Sequence, residues 1–231
     1  MENKTSKYFK YAIGEIILVV IGILIALSIN NWNENQKLKS NEKELLVYVL
    51  ENLKEDSLII HNALTERISI LEVHQQLVAY LNNELSRDEV GDLDLLRRSF
   101  PGQLITRKNN PELSKNVLDQ GVKKQILEYY RSIDRAEFIM ANHNNIIENV
   151  VRPYLGQKGL LTFGNHVGNF EDDTLDLIDR DLFFEEIKNK AFQQILFESG
   201  IKANSIINWE THASVENEKL KISIKNYLSK K

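Results

Sequence analysis

AIGEIILVVIGILIALSI, Ala12 to Ile29, is eighteen residues long and carries a single charge. As a helix it spans about 27 Å, close to the hydrocarbon thickness of a bilayer. A run of that length and purity reads as a transmembrane helix. Ahead of it stand Lys4, Lys7 and Lys10 against one acid, Glu2, and short lysine-rich flanks stay on the cytoplasmic side. Residues 1–11 are therefore expected in the cytoplasm, 12–29 in the membrane and 30–231 outside it. Tyr8, Tyr11 and Trp32 flank the run, as amphipathic rings do at the two headgroup levels. Ala26-Leu27-Ser28 also has the small-x-small form of a signal-peptide cleavage site. Retention is the preferred reading, because an amphipathic pattern resumes at once in NWNENQKLKSNEKELL, residues 31–46.

Glu15 is the one ionisable residue of the run, and acids are costly in lipid. Three residues inside the start, it can snorkel to the headgroups or meet Lys10 or Tyr11. On another reading it belongs to a contact: Glu15, Gly22 and Ala26 fall on one helical face, and small residues let a second transmembrane helix approach closely. The partners this implies are the membrane itself and a partner transmembrane helix or further copies of the chain.

KYFKYAIGEIILVVIGILIALSINNWNE, Lys7 to Glu34, resembles the N-terminal signature of a family of uncharacterised single-pass inner-membrane proteins of Bacteroidota. The segment NNPELSKNVLDQGVKKQILEYY, residues 109–130, is more loosely similar to that family's mid-chain region. The resemblance implies an inner-membrane anchor with a helical periplasmic part, and it brings no activity.

Beyond the anchor, apolar residues recur at Leu46, Val49, Leu53, Ile60, Leu64, Ile68, Leu71, Val78 and Leu81, interrupted at Ser57 and Gln75. That spacing predicts one long amphipathic helix. A second seam runs through Ile126, Tyr129, Ile133, Ala136, Met140, His143, Ile147 and Val150, in steps of three and four suited to shallow helix packing. Between them Asn110-Pro111-Glu112 reads as a cap with a first-turn proline and Gly121 as a terminator, which predicts a short helix over 111–120. Further helices are expected over 181–199, ending at Gly200, and over 202–228. The fold class expected is all-α, an N-terminal transmembrane helix continuing into an antiparallel helical bundle with coiled-coil-like seams. Residues 156–180, with four glycines in YLGQKGLLTFGNHVGNF, form an irregular insertion, a loop or small hairpin.

With 231 residues, one globular core beyond the anchor suffices. A formal net charge of -4 gives no basic footprint, which argues against nucleic acid as a partner. The absence of cysteine removes disulfides, thiolate metal sites and cysteine catalysis. His61, His74, His143, His166 and His212 are scattered without HExxH or an i, i+4 pair, so no metal site and no cofactor are expected. The acids Glu171, Asp172, Asp173, Asp176, Asp179 and Asp181 lack the ligand alternation of a calcium loop. No GxSxG elbow is present and no catalytic residue is assigned. If the bundle holds a small anion or metabolite, the candidate ligand-binding residues are His143 and Tyr129 within it and His166 in the glycine-rich insertion. The function expected is that of an anchored interaction or scaffold protein. A ligand-sensing bundle, an enzyme without recognisable motif and a subunit of a proton-driven motor are the competing readings.

Overall fold

Helix α1 (Lys4–Leu81) begins the chain, and its backbone is helical throughout. The structure, a computed structural model, describes residues 4–101, 104–162 and 176–230, with side chains from residue 13 onward. The chain divides between Tyr48 and Val49 into two compact units. In the first, the large apolar side chains from Ile13 to Ile29 are 44 to 71% exposed. Apart from Glu15, this stretch of the helix is apolar and uncovered on all sides, long and apolar enough to cross a membrane.

The second unit is all helix and turn among the described residues, apart from one isolated antiparallel bridge between Leu161 and Ile178. In it α1 ends in a Schellman motif. Asn83 adopts the left-handed conformation (φ 61°), Glu84 N donates to Ala79 O and Asn83 N to Tyr80 O. The chain then turns back along α1. Two short 3-10 turns (Arg87–Glu89 and Leu93–Arg97), helix α2 (Ile105–Asn109) and helix α3 (Leu113–Asn116) make up this return.

Side chains of α1 hold it at three levels. Gln76 Oε1 accepts from Gly91 N at 2.8 Å, Glu66 pairs with Arg98 at 3.0 Å, and Asp56 accepts from Ile105 N at 2.7 Å. The expected helix over 111–120 is not formed. Asn110 closes α2, α3 is a single turn, and Asp119 caps the next helix by accepting from Val122 N at 2.9 Å. Gly121 therefore lies in a first turn, because the aspartate two residues earlier makes a stronger start than the glycine makes a stop.

Helix α4 (Gln120–Ile146) passes through a single π turn, Ile147–Val151, into α5 (Arg152–Gln157). Pro153 explains the widening. It has no N–H to offer the Asn149 carbonyl, and its ring would press on that carbonyl in a regular helix. The extra residue shifts the register, so the buried position after Ile147 is Val151, while Val150 is 41% exposed.

The bridge ties together the ends of the glycine-rich segment, with Thr162 N on Leu177 O and Asp179 N on Leu160 O. Gly164, His166, Gly168, Glu171, Asp172 and Asp173 lie outside the described residues. Asp179 caps α6 (Arg180–Glu186), and Asn189 caps α7 (Lys190–Ser229) by accepting from Ala191 N. The expected helices over 181–199 and 202–228 are thus divided differently. The break falls at the Asn189 cap, and α7 runs unbroken through Gly200. Glycine is needed there for space, since a Cβ at that position would lie 2.9 Å from His74 Cδ2.

Three long helices make the bundle. Leu53 meets Asn217, Arg67 meets Glu210 and His74 meets Gly200, so α7 is antiparallel to α1. Asp56 meets Tyr129 and Arg67 meets Met140, so α4 runs parallel to α1, which the return along 82–119 makes possible. One end is filled by Leu77, Leu93, Val151, Phe183, Phe184 and Phe192, each worth about 1.5–3 kcal/mol when fully buried.

Candidate functional site

The bundle's interior holds two layers of buried polar side chains. The first forms a directed chain of hydrogen bonds. Lys221 Nζ donates to Ser57 Oγ at 2.9 Å, and Ser57 Oγ donates to Asn217 Oδ1 at 2.9 Å. Asn217 Nδ2 donates to Tyr129 Oη at 3.0 Å and to Leu53 O at 3.1 Å. Tyr129 Oη donates to Asp56 Oδ2 at 2.8 Å. Asp56 also accepts from the backbone N–H groups of Ile105 and Thr106.

Asp56, Tyr129, Asn217 and Thr106 are all fully buried. Leu104, the residue before α2, has no side chain able to cap it. Asp56 supplies that cap from another helix, where a carboxylate is favoured by the exposed N–H groups and the helix dipole. Burial, and then the Asp56 charge, push the Tyr129 phenol far above its ordinary range. Tyr129 is thus a fixed donor.

Ser57 and Lys221 are the residue pair a serine–lysine hydrolase uses, but the bond runs the wrong way for activation. A lysine base must accept the serine proton. Here Lys221 donates to Ser57 and is ion-paired with Glu218.

The second layer lies further along the bundle, eleven residues on from Asp56 in α1, fourteen on from Tyr129 in α4 and seven back from Asn217 in α7. Arg67 Nε pairs with Glu210 Oε2 at 2.8 Å, and its guanidinium sits 4.0 Å from the Phe100 ring centroid. The His143 ring stacks on Phe100 at 5.1 Å. Asn144 holds Phe100 by its backbone, accepting from Phe100 N at 2.9 Å and donating to Phe100 O at 2.8 Å.

His143 is fully buried; among the described residues neither ring nitrogen meets hydrogen-bond geometry, and the Asn144 side chain is near enough to favour its charged form. Burial, with His74 and Arg67 nearby, lowers it to about 4. Burial also lowers His74, whose Nδ1 lies 2.9 Å from Ile70 O, and raises Glu210 to about 7 against the pull of Arg67.

A third polar group closes the far end. Asp92, Asp94 and Asp176 each bring a carboxylate oxygen within 4.8 Å of the others. Asp94 accepts from Leu177 N at 2.7 Å and Ile178 N at 3.0 Å, and Arg180 donates to the Gly91 carbonyl. These bonds fasten the end of the glycine-rich segment to the 87–97 turns.

Of the residues singled out in the sequence, Tyr129 sits in the first layer and His143 in the second. Fourteen residues of helix place them about 21 Å apart along α4. Glu15, Gly22 and Ala26 are exposed on their helix, and a Cβ at Gly22 would meet nothing within 4 Å. Asp56, Arg67, Asn217 and Glu210 went unnoticed in the sequence. The apolar period of α1 gave no signal for Asp56 or Arg67, since its interruptions fall at Ser57 and Gln75 and it places Ile68 rather than Arg67 in the stripe.

No curated protein and no solved structure matches the chain. Residues 15–100 match the model of a family of unknown function, DUF6090. The match takes in most of the apolar run, the second-unit part of α1 with Asp56, Arg67 and His74, and the return as far as Phe100, and over that region the chain is similar to that family.

Proposed function

We propose that this chain is a membrane-anchored interaction protein. Residues 12–29 cross the inner membrane once, residues 1–11 face the cytoplasm, and the helical body stands on the periplasmic side, where it scaffolds or assembles with other envelope proteins. The observation that carries this reading is the uncovered run from Ile13 to Ile29, apolar on all faces. Such a surface in water is an aggregation liability, and in lipid it costs nothing. The exposed face of Glu15, Gly22 and Ala26 supports association with a second helix inside the membrane.

Within the body, the first polar layer supports a structural role. Apart from the Thr106 hydroxyl, its donors and acceptors are matched to one another and join four segments of the chain. A ligand-sensing reading draws on the buried ring nitrogens of His143; Tyr129, by contrast, has its hydroxyl filled by Asp56 and Asn217.

The test is purification of C-terminally tagged full-length protein from native membranes in mild detergent, with its mass and co-eluting chains measured. A defined assembly is expected, from membranes that keep the chain through an alkaline wash. Recovery in the wash, or a mature N-terminus near Ile29, overturns the anchor; a lone monomer overturns the interaction role.

A further inference from the structure

The second unit carries an open groove of about 520 Å³ between residues 71–81 of α1 and 193–204 of α7. Its walls are apolar side chains in helical step: Leu71, Val78 and Leu81 on one side, Phe197 and Ile201 on the other. Several stand out into solvent. Val78 is 59% and Phe197 58% exposed.

This groove accounts for a misfit between the sequence and the core. The apolar series Ile68, Leu71, Val78 and Leu81 reads as the buried stripe of α1. In the folded unit the buried stripe is Arg67, Ile70, Val73, His74 and Leu77. From residue 67 onward, α1 therefore has two faces built to be covered, and only one of them is covered. A patch of this kind on a polar body marks an interaction surface.

The composition of the lining indicates the occupant. None of the described lining residues is Asp, Glu, Lys or Arg, although charged residues make up 27% of the chain. Apart from His74, the polar groups are all carboxamides: Gln75, Gln193, Gln194 and Asn204. In a twofold contact the same patch serves both partners, so groups near the axis face their own copies. Like charges would repel there. A carboxamide, with both donor and acceptor, is its own hydrogen-bond complement. The patch also contains both a hollow and exposed side chains, Val78 and Phe197, and a self-complementary surface requires both.

From these features we infer that a second copy of this chain docks in the groove, the α1/α7 pair of each copy packing on the same pair of the other as a four-helix layer. The inference rests on the anchored-interaction reading, since an anchor confines copies to one surface and raises their effective concentration.

The chain's lack of cysteine makes the test direct. Full-length Val78→Cys and Phe197→Cys proteins, singly and co-expressed, are treated in native membranes with a short homobifunctional maleimide. Phe138→Cys, on an exposed apolar position of α4, serves as the control. Dimer bands several-fold stronger at the groove positions than at Phe138→Cys are expected. Adding Ile201→Arg, an exposed change whose fold is checked by circular dichroism, is expected to abolish them.

Equal cross-linking at Phe138→Cys means random collision and overturns the inference. So do groove thiols that label freely with a monofunctional maleimide yet form no dimer, which marks an empty groove. Groove thiols shielded without dimer formation mean a different occupant, a helix of another protein or a small apolar molecule, and overturn it as well. Alkaline washing of the same membranes separates the two failures. A chain retained but not cross-linked loses only the pairing, whereas a chain released loses the anchor.

Discussion

Asp56 shows how much one side chain can organise. It is fully buried, caps a helix that has no cap of its own, and ends the hydrogen-bond chain from Lys221. Replacing it by Ala strands two backbone N–H groups and the Tyr129 hydroxyl, so Asp56→Ala is expected to cost about 3 kcal/mol or more, and Tyr129→Phe about 1 kcal/mol. Thermal melts of the full-length variants in detergent check the order.

The second layer predicts opposite pH slopes from neighbouring groups. His143 has a folded value of about 4 against 6.5 for a free histidine. Its contribution is present above pH 6.5 and is lost as pH falls toward 4, a change of about 3 kcal/mol. Glu210 is raised from 4.5 to about 7. Its contribution is present below pH 4.5 and is lost as pH rises toward 7, by a similar amount of about 3 kcal/mol. Between 4.5 and 6.5 the two offset each other. His143→Leu leaves the Glu210 slope, with stability falling from pH 4.5 to 7; Glu210→Gln leaves the His143 slope, with stability rising from pH 4 to 6.5. Denaturation midpoints across that range decide it, and unchanged slopes would remove the layer's electrostatic role.

Among the helices, α7 offers the plainest conflict between local preference and packing. Alanine is favoured over glycine inside a helix by about 1 kcal/mol. At Gly200 the added Cβ lies 2.9 Å from the His74 ring, which is itself buried and placed 2.9 Å from Ile70 O. Overpacking of this kind costs about 1–3 kcal/mol, so Gly200→Ala is expected to destabilise, and the loss to shrink in the His74→Ala background. A double-mutant cycle by thermal melting measures the coupling. The π turn is a second conflict, this one settled by Pro153. With the proline's constraint removed, Pro153→Ala permits a regular helix through residues 147–157. Hydrogen exchange over 147–157 reports that change.

The assembled chain joins a helix whose apolar run is uncovered to a body that carries a hydrogen-bonded layer of Ser57, Asp56, Tyr129 and Asn217 in its interior. Its open apolar face lies between α1 and α7. The parallel course of α1 and α4 follows from the return segment, which lies along α1 and is fixed by Gln76, Glu66 and Asp56. These three residues are spaced by ten on α1 and meet partners seven apart on the return, so the return is more extended than the helix it follows. Loss of one attachment is expected to loosen the return locally without unfolding the bundle. Faster hydrogen exchange confined to residues 84–101 in Gln76→Ala checks this.

The all-α class, the apolar run at 12–29, the long helical seams over 46–81 and 126–150 and the glycine-rich break near 156 were legible in the linear chain. Each depends on local period, length or composition, and those properties are carried by neighbours in sequence. Which of two apolar stripes on α1 enters the core, whether Gly200 ends a helix or makes room for a ring, and where Asp56, Arg67 and Asn217 find partners were decided only by tertiary packing. Those outcomes depend on contacts between residues 33 to 164 positions apart. A buried charge looks the same in sequence as a solvated one until the partner that satisfies it is brought alongside.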